Sequence, residues 1–188
     1  EEWHGRPWAR TARHLGETAS VLRGLLNGEK VKFTGELARC NGYHLRTEPP
    51  GAHVTVAAFG QLAVKVAAQH GDRMLLNMVT AASAARLREQ LEDAAKRAGR
   101  PTPRLAVWLG CAVDPTGEAI TQILRSKVGY LSAPGYSDMF IEAGFRELVE
   151  LAKTRPHPRE VLAAMPMELA ASVGLEASDP FLDKRVLD

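Results

Sequence analysis

Residues Thr55 to Asn77 read TVAAFGQLAVKVAAQHGDRMLLN, and this stretch decides the fold. A short apolar run leads to Phe59-Gly60, a helix-patterned segment follows, and a second apolar run begins after Gly71-Asp72. Short uninterrupted apolar runs are the mark of strands buried on both faces, as in a parallel sheet. The reading is a strand over His53–Phe59, a helix over Gly60–Gln69 and a strand over Arg73–Val79. Together these make a compact βαβ unit, because parallel neighbours need a crossover of a dozen or more residues.

The pattern extends in both directions. Downstream, Ala85, Leu87, Leu91, Ala94, Ala95 and Ala98 form one stripe of a helix over Ala81–Ala98, and Gly99, Pro101 and Pro103 stop it. Arg104–Val113 reads as a third buried strand. Asp114 is the expected N-cap and Pro115 the first residue of a helix running to Leu131. Helices are expected over Ser137–Lys153, Pro158–Met165 and Met167–Val173. Upstream, Thr11–Asn27 has helical spacing closed by Gly28. Val31–Arg46 reads as two extended runs with Gly35 and Asn41-Gly42 as turn signals. Strands alternating with helices define an α/β fold with a parallel sheet.

Composition excludes several classes. The 188 residues are 45% hydrophobic and 24% charged, ordinary for a globular chain. A net charge of +2 is too mild to argue for nucleic acid, and no apolar run approaches the length of a membrane span. Cys40 and Cys111 have no metal-ligand spacing and read as free thiols of a reducing, cytoplasmic compartment. The chain opens Glu1-Glu2-Trp3-His4-Gly5, without methionine or signal pattern, as a chain entered in its middle would.

The candidate chemistry is sparse. Phe59-Gly60-Gln61 is either a plain strand-to-helix turn or an anion cradle, since a helix N-terminus carries unpaired N–H groups and partial positive charge. There is no GxGxxG, Walker or GxSxG sequence. Thr80 reads as an N-cap. Asn77, an amide at the end of an apolar strand, needs a partner if buried. Trp3, His4 and Trp8 are either core and surface residues or a platform for a flavin-like ring, with His4 placed to exchange a hydrogen bond with a ring carbonyl. His14 and Glu17 lack a third ligand, and His70 sits at a helix end that favours a cation. Tyr136, Met139 and Phe140 either line an entrance or pack between helices.

Five segments in order resemble one family. EWHGRPWARTARHLGETASVLRGLL, VKFTGELARCNGYHL, VTVAAFGQLAVKVAAQHGDRMLLNMVT, AAKRAGRPTPRLAVWLGCAVD and PGYSDMFIEAGF are similar to successive parts of bacterial luciferase-like proteins, the last to a segment of the deazaflavin-dependent branch. The resemblance implies a luciferase-like TIM (β/α)8 barrel of which this chain covers roughly the second half. It also implies residues 31–52 as an insertion and 132–175 as a helical excursion on a single domain. It further implies a cytoplasmic oxidoreductase or monooxygenase that uses coenzyme F-420, or FMN, on a small organic substrate. The cofactor phosphate would lie at Phe59, Gly60 and Gln61, with Asn77 adding contacts and the ring lying towards Trp3 and His4. His4 is the one catalytic candidate. A barrel takes about 250 residues, so these residues alone are expected neither to close a barrel nor to turn over substrate. Open sheet edges favour a homo-oligomer, a dimer in the first instance. A non-catalytic flavin-binding or assembly protein derived from the family is the alternative.

Overall fold

A computed structural model describes residues 10–49, 51–108, 116–166 and 169. Helix α1 (Thr11–Leu26) leads to strands β1 (Val31–Thr34) and β2 (Arg39–Tyr43). Then come β3 (Thr55–Ala57), α2 (Gln61–His70), β4 (Arg73–Asn77), α3 (Ala81–Arg97) and β5 (Arg104–Trp108). Four helices complete the described chain: α4 (Gly117–Leu131), α5 (Tyr136–Glu142), α6 (Arg146–Lys153) and α7 (Pro158–Ala163). The fold is mixed α/β. Strands β3 and β4 pair in parallel, Thr55 with Arg73, Val56 with Met74 and Ala57 with Leu75, and the sheet order is β3-β4-β5. Among the described residues this sheet is open.

Local signals placed most element ends correctly. Gly28 and Gly99 follow α1 and α3 with φ of 78° and 64°, the left-handed region that glycine enters without strain. Elsewhere the structure corrects the reading. Asn41-Gly42 is not the hairpin turn. It lies inside β2, where Val31 pairs with Tyr43 and Lys32 with Asn41, so Gly42 (φ 75°) is the extra residue of a bulge. The N-cap of α4 is Thr116, whose side chain accepts from the Ala119 N–H at 3.2 Å, rather than Asp114. The helix expected over Ser137–Lys153 is two helices, broken at Gly144 (φ 96°). Neither β3 nor β5 is buried on both faces: Thr55 and Ala57 are exposed, and Val107 is 40% and Trp108 64% exposed. The helix expected over Met167–Val173, apart from Leu169, and residues 109–115, Cys111 included, lie outside the described residues.

The chain groups into two compact units. The first holds residues up to Leu75 together with Arg88–Ala106. Its core includes Val56, Val64, Ala67, Ala68, Met74, Leu91 and Ala95. There α1 packs on α2, and a Cβ at Gly16 would sit 3.4 Å from Val66 Cγ2, which shows how closely the helices approach. The Glu17 carboxylate accepts from the backbone N–H groups of Glu36, Leu37 and Ala38 at 3.1, 2.8 and 2.8 Å, tying α1 to the β1–β2 loop. The Leu37 bond, foremost, holds the Glu17 carboxyl below its ordinary value, against the upward push of burial and with help from Ala38, Glu36 and Arg13. The second unit holds Leu76–Leu87 and the chain from Val107 onward. Its core includes Leu76, Leu87, Leu131, Phe140, Val149, Val161 and Leu169.

Gly71, between α2 and β4, has ordinary extended backbone (φ −85°), yet an added Cβ would lie 2.7 Å from the Ala67 carbonyl oxygen. Two backbone segments would have to separate. Gly71→Ala is therefore expected to cost about 1–3 kcal/mol, the usual penalty for overpacking, read as a lowered midpoint in urea with unchanged slope.

Candidate functional site

The carboxyl end of β3 and the start of α2 form the turn at Phe59-Gly60-Gln61. Gly60 is the N-cap of α2 with φ −80° and ψ 153°, a conformation open to any residue. Among the described residues, a Cβ built on it would meet no atom within 4 Å. Neither backbone conformation nor packing therefore requires glycine here. What glycine leaves is open space directly over the helix N-terminus. The cap provides no side-chain hydrogen bond, and the first turn holds no acidic residue to offset its positive end. Leu62, one turn position further, is 63% exposed. An anionic group with an apolar body suits such a surface. These observations fit a phosphate-bearing cofactor held at Gly60 and Gln61 with no side chain in the way.

Strand β4 alternates strictly. Met74 and Leu76 are fully buried on one face, while Arg73, Leu75 and Asn77 are half-buried on the other. Asn77 ends the strand, and its Nδ2 donates to Tyr136 Oη at 3.1 Å. Beyond it Thr80 Oγ1 accepts from the Ser83 N–H at 3.1 Å, the expected N-cap of α3. The partner of Asn77 was not legible in the sequence, because Tyr136 is 59 positions away.

The amino ends of the strands are built differently. Arg23 Nη2 donates to Asp72 Oδ2 at 2.7 Å and to the His70 carbonyl at 2.9 Å. Asp72 Oδ2 also accepts from the Val54 N–H at 2.8 Å, with His53 Nδ1 at 3.7 Å. Arg100 Nη1 donates to the carbonyls of Ala68 and Gly71 at 2.9 and 3.2 Å. The two guanidinium groups thus serve the carbonyls at and just beyond the end of α2. Burial pushes the Asp72 carboxyl up, but the Arg23 hydrogen bond, the Val54 N–H and the Arg23 and His53 charges outweigh it and hold it below its ordinary value. A cavity of about 280 Å³ opens here, lined by His53, Asp72, Arg73, Arg100 and Arg104 among others. Its single carboxylate is already engaged by Arg23, so this end reads as a structural clamp.

The clamp corrects the expectation for His70. Burial, then the charges of Arg100 and Arg23, lowers its pKa from the ordinary value of 6.5, opposing the cation that the helix end favours. Because the folded value is depressed, the unfolded chain binds more protons between the two values, and stability falls with pH through that window. The protein is expected to lose stability as pH drops below about 6.5. Replacing His70 by glutamine should flatten this part of the profile, as read by urea midpoints from pH 7.5 down to 5.

Trp3, His4 and Trp8 lie outside the described residues. Among the described residues no group of His, Cys, Asp or Glu could hold a metal ion, and no helix is long and apolar enough to cross a membrane.

The fold is mixed α/β, and comparison with known proteins makes the family specific. Residues 1–174 match the luciferase-like monooxygenase family, and the chain belongs to it. It is 26% identical over 131 residues to the 5,10-methylenetetrahydromethanopterin reductase of Archaeoglobus fulgidus, covering 69% of this chain and 40% of that protein. Among solved structures, the coenzyme F-420-dependent tetrahydromethanopterin reductase of Methanopyrus kandleri superposes with a TM-score of 0.68 at 17% identity, over 94% of this chain and 54% of its own. An F-420-dependent secondary alcohol dehydrogenase in complex with an F-420-acetone adduct gives 0.59 at 20% identity, over 85% and 50%. At these identities the structural likeness concerns the fold alone. The chain spans about half the length of the relatives it matches.

Proposed function

We propose that this chain is the second half of a TIM (β/α)8 barrel in a cytoplasmic, F-420-dependent oxidoreductase that transfers a hydride between reduced coenzyme F-420 and a small organic substrate. On this reading residues 31–52 are an insertion and 132–175 a helical excursion on a single domain, and the protein works as a homo-oligomer, a dimer in the first instance. The observation that carries the reading is the luciferase-like pattern through residues 1–174. The F-420 dependence named for the two solved relatives favours the deazaflavin over FMN.

When bound, the cofactor supplies the two-electron chemistry, and the protein supplies binding, orientation and exclusion of water. The N–H groups at Gly60 and Gln61 would hold its phosphate. Phe59 and the exposed Leu62 offer apolar contact beside it. Asn77 adds a polar contact at the end of β4. On the family resemblance, Trp3 and His4 would be the residues nearest the ring, with His4 the candidate for a hydrogen bond to it.

The test is a fluorescence titration of the protein with F-420 and, separately, FMN. Saturable binding of F-420, with FMN weaker, supports the reading. Tighter FMN binding would replace the cofactor. Binding of neither would overturn the enzyme reading in favour of a non-catalytic family member.

A further inference from the structure

We infer that Tyr136 is a positioning residue that fixes the side-chain amide of Asn77, so that Asn77 acts as a hydrogen-bond acceptor for an O–H or N–H group of the bound cofactor. The inference rests on the cofactor reading above and deepens it. It assigns Asn77 to the polyol or ring-imide part of the cofactor and removes it from the phosphate site.

An amide has one donating and one accepting end, and only its orientation decides which end a ligand meets. In this structure Nδ2 is committed to Tyr136 Oη at 3.1 Å. Among the described residues Asn77 Oδ1 accepts from no partner. Nor is it sealed from solvent, since among the described residues the one buried and unpartnered side-chain atom is Arg23 Nε. The amide therefore offers a lone pair, and a phosphate oxygen, itself only an acceptor, cannot use it. A ribityl hydroxyl or an imide N–H can.

Tyr136 is itself held in place. It is the first residue of α5, entered through Gly135 at φ 84°. Its ring meets Tyr130 edge-on with centroids 4.8 Å apart and stacks with Phe140 at 6.3 Å. Phe140 is 1% exposed and anchors the row in the core. A hydroxyl mounted on a fixed ring gives a fixed orientation to the amide it accepts from, which is how a supporting residue tunes a binding group without touching the ligand.

The experiment titrates the protein with two probes, F-420 and its phosphate-free deazaflavin riboside. Tyr136→Phe keeps the ring packing and removes the hydroxyl. It should weaken both probes by the same factor, about 3- to 10-fold, the value of one hydrogen bond. The side-chain amide resonances of Asn77 should shift even without cofactor. Asn77→Asp keeps an acceptor and should bind the riboside within a few-fold of wild type. Wild-type binding left unchanged by Tyr136→Phe would overturn the inference and leave the cofactor reading standing. So would an Asn77→Asp variant that loses F-420 and keeps the riboside, because that pattern marks a phosphate contact. Failure of the wild-type protein to bind either probe would overturn the cofactor reading, and this inference with it.

Discussion

Gly60→Asp is expected to abolish cofactor binding while leaving the protein as stable as wild type or slightly more so. The two effects have opposite signs because, on the proposed cofactor reading, one residue position would serve two purposes. As an N-cap, aspartate is better than glycine: its carboxylate accepts from first-turn N–H groups and offsets the positive helix end. The gain is a few tenths of a kcal/mol from capping, and glycine's backbone fits, since φ −80° is open to any residue. Among the described residues nothing lies within 4 Å of the new Cβ to oppose it. For the proposed phosphate site the same change would be ruinous. The carboxylate fills the open space over the N-terminus, takes the donors a phosphate would use and repels its charge. Affinity for F-420 should fall by 100-fold or more, about 2.7 kcal/mol or above. Gly60→Ala adds bulk without charge and should fall in between. Equal F-420 affinity in wild type and Gly60→Asp would show that the turn is only a turn.

The largest expected effect on stability comes from Asp72→Ala. This carboxylate holds together three segments distant in sequence: α1 through Arg23, the approach to β3 through the Val54 N–H, and the start of β4 on which it stands. Removing it leaves the half-buried Arg23 guanidinium, whose Nε is already sealed without a partner, lacking its counter-charge. It also strands the Val54 N–H. Asp72 and Arg23 side chains are 25% and 26% exposed, so solvent recovers part of the loss. The expected cost is about 2–3 kcal/mol, in the range for hydrogen bonds to charged groups left unmade. Asp72→Asn, which keeps one accepting oxygen, should cost less. The carboxyl's depressed pKa adds a check: its contribution is present above 3.8, the ordinary value, and is lost as pH falls through the lower folded value. In Asp72→Ala that acid-induced step should disappear from the stability profile. A midpoint within experimental error of wild type would show the clamp to be dispensable.

Both residues stand at strand ends, and the sequence revealed them unequally. The β3-turn-α2 unit was readable because its signals are local. Apolar runs mark strands, helical spacing marks α2, and a glycine before Gln61 marks the junction. The same holds for Thr80, whose capping bond reaches only to Ser83, and for Gly28 and Gly99, whose positive φ is a property of the residue itself. The ordered likeness of five segments to luciferase-like proteins pointed to the family that the match over residues 1–174 establishes.

Where two local signals competed, the sequence misled. Asn41-Gly42 has the composition of a hairpin turn, yet the pairing of β1 with β2 places it in the ladder, and the positive φ of Gly42 is used for a bulge. Gly144 lay inside what periodicity read as one helix, and its left-handed φ ends α5 there.

What the sequence by itself determined was the order and kind of most elements, the family, and the turn at Gly60, because caps, turns and periodicity are settled within about four residues. What only the tertiary structure decided were the partnerships: Asn77 with Tyr136, Arg23 with Asp72, and Glu17 with the loop from Glu36 to Ala38. Each joins residues 19 or more positions apart. A polar side chain's partner is whichever donor or acceptor packing brings within reach, and no local pattern encodes that distance. The orientation of the Asn77 amide follows from such a contact.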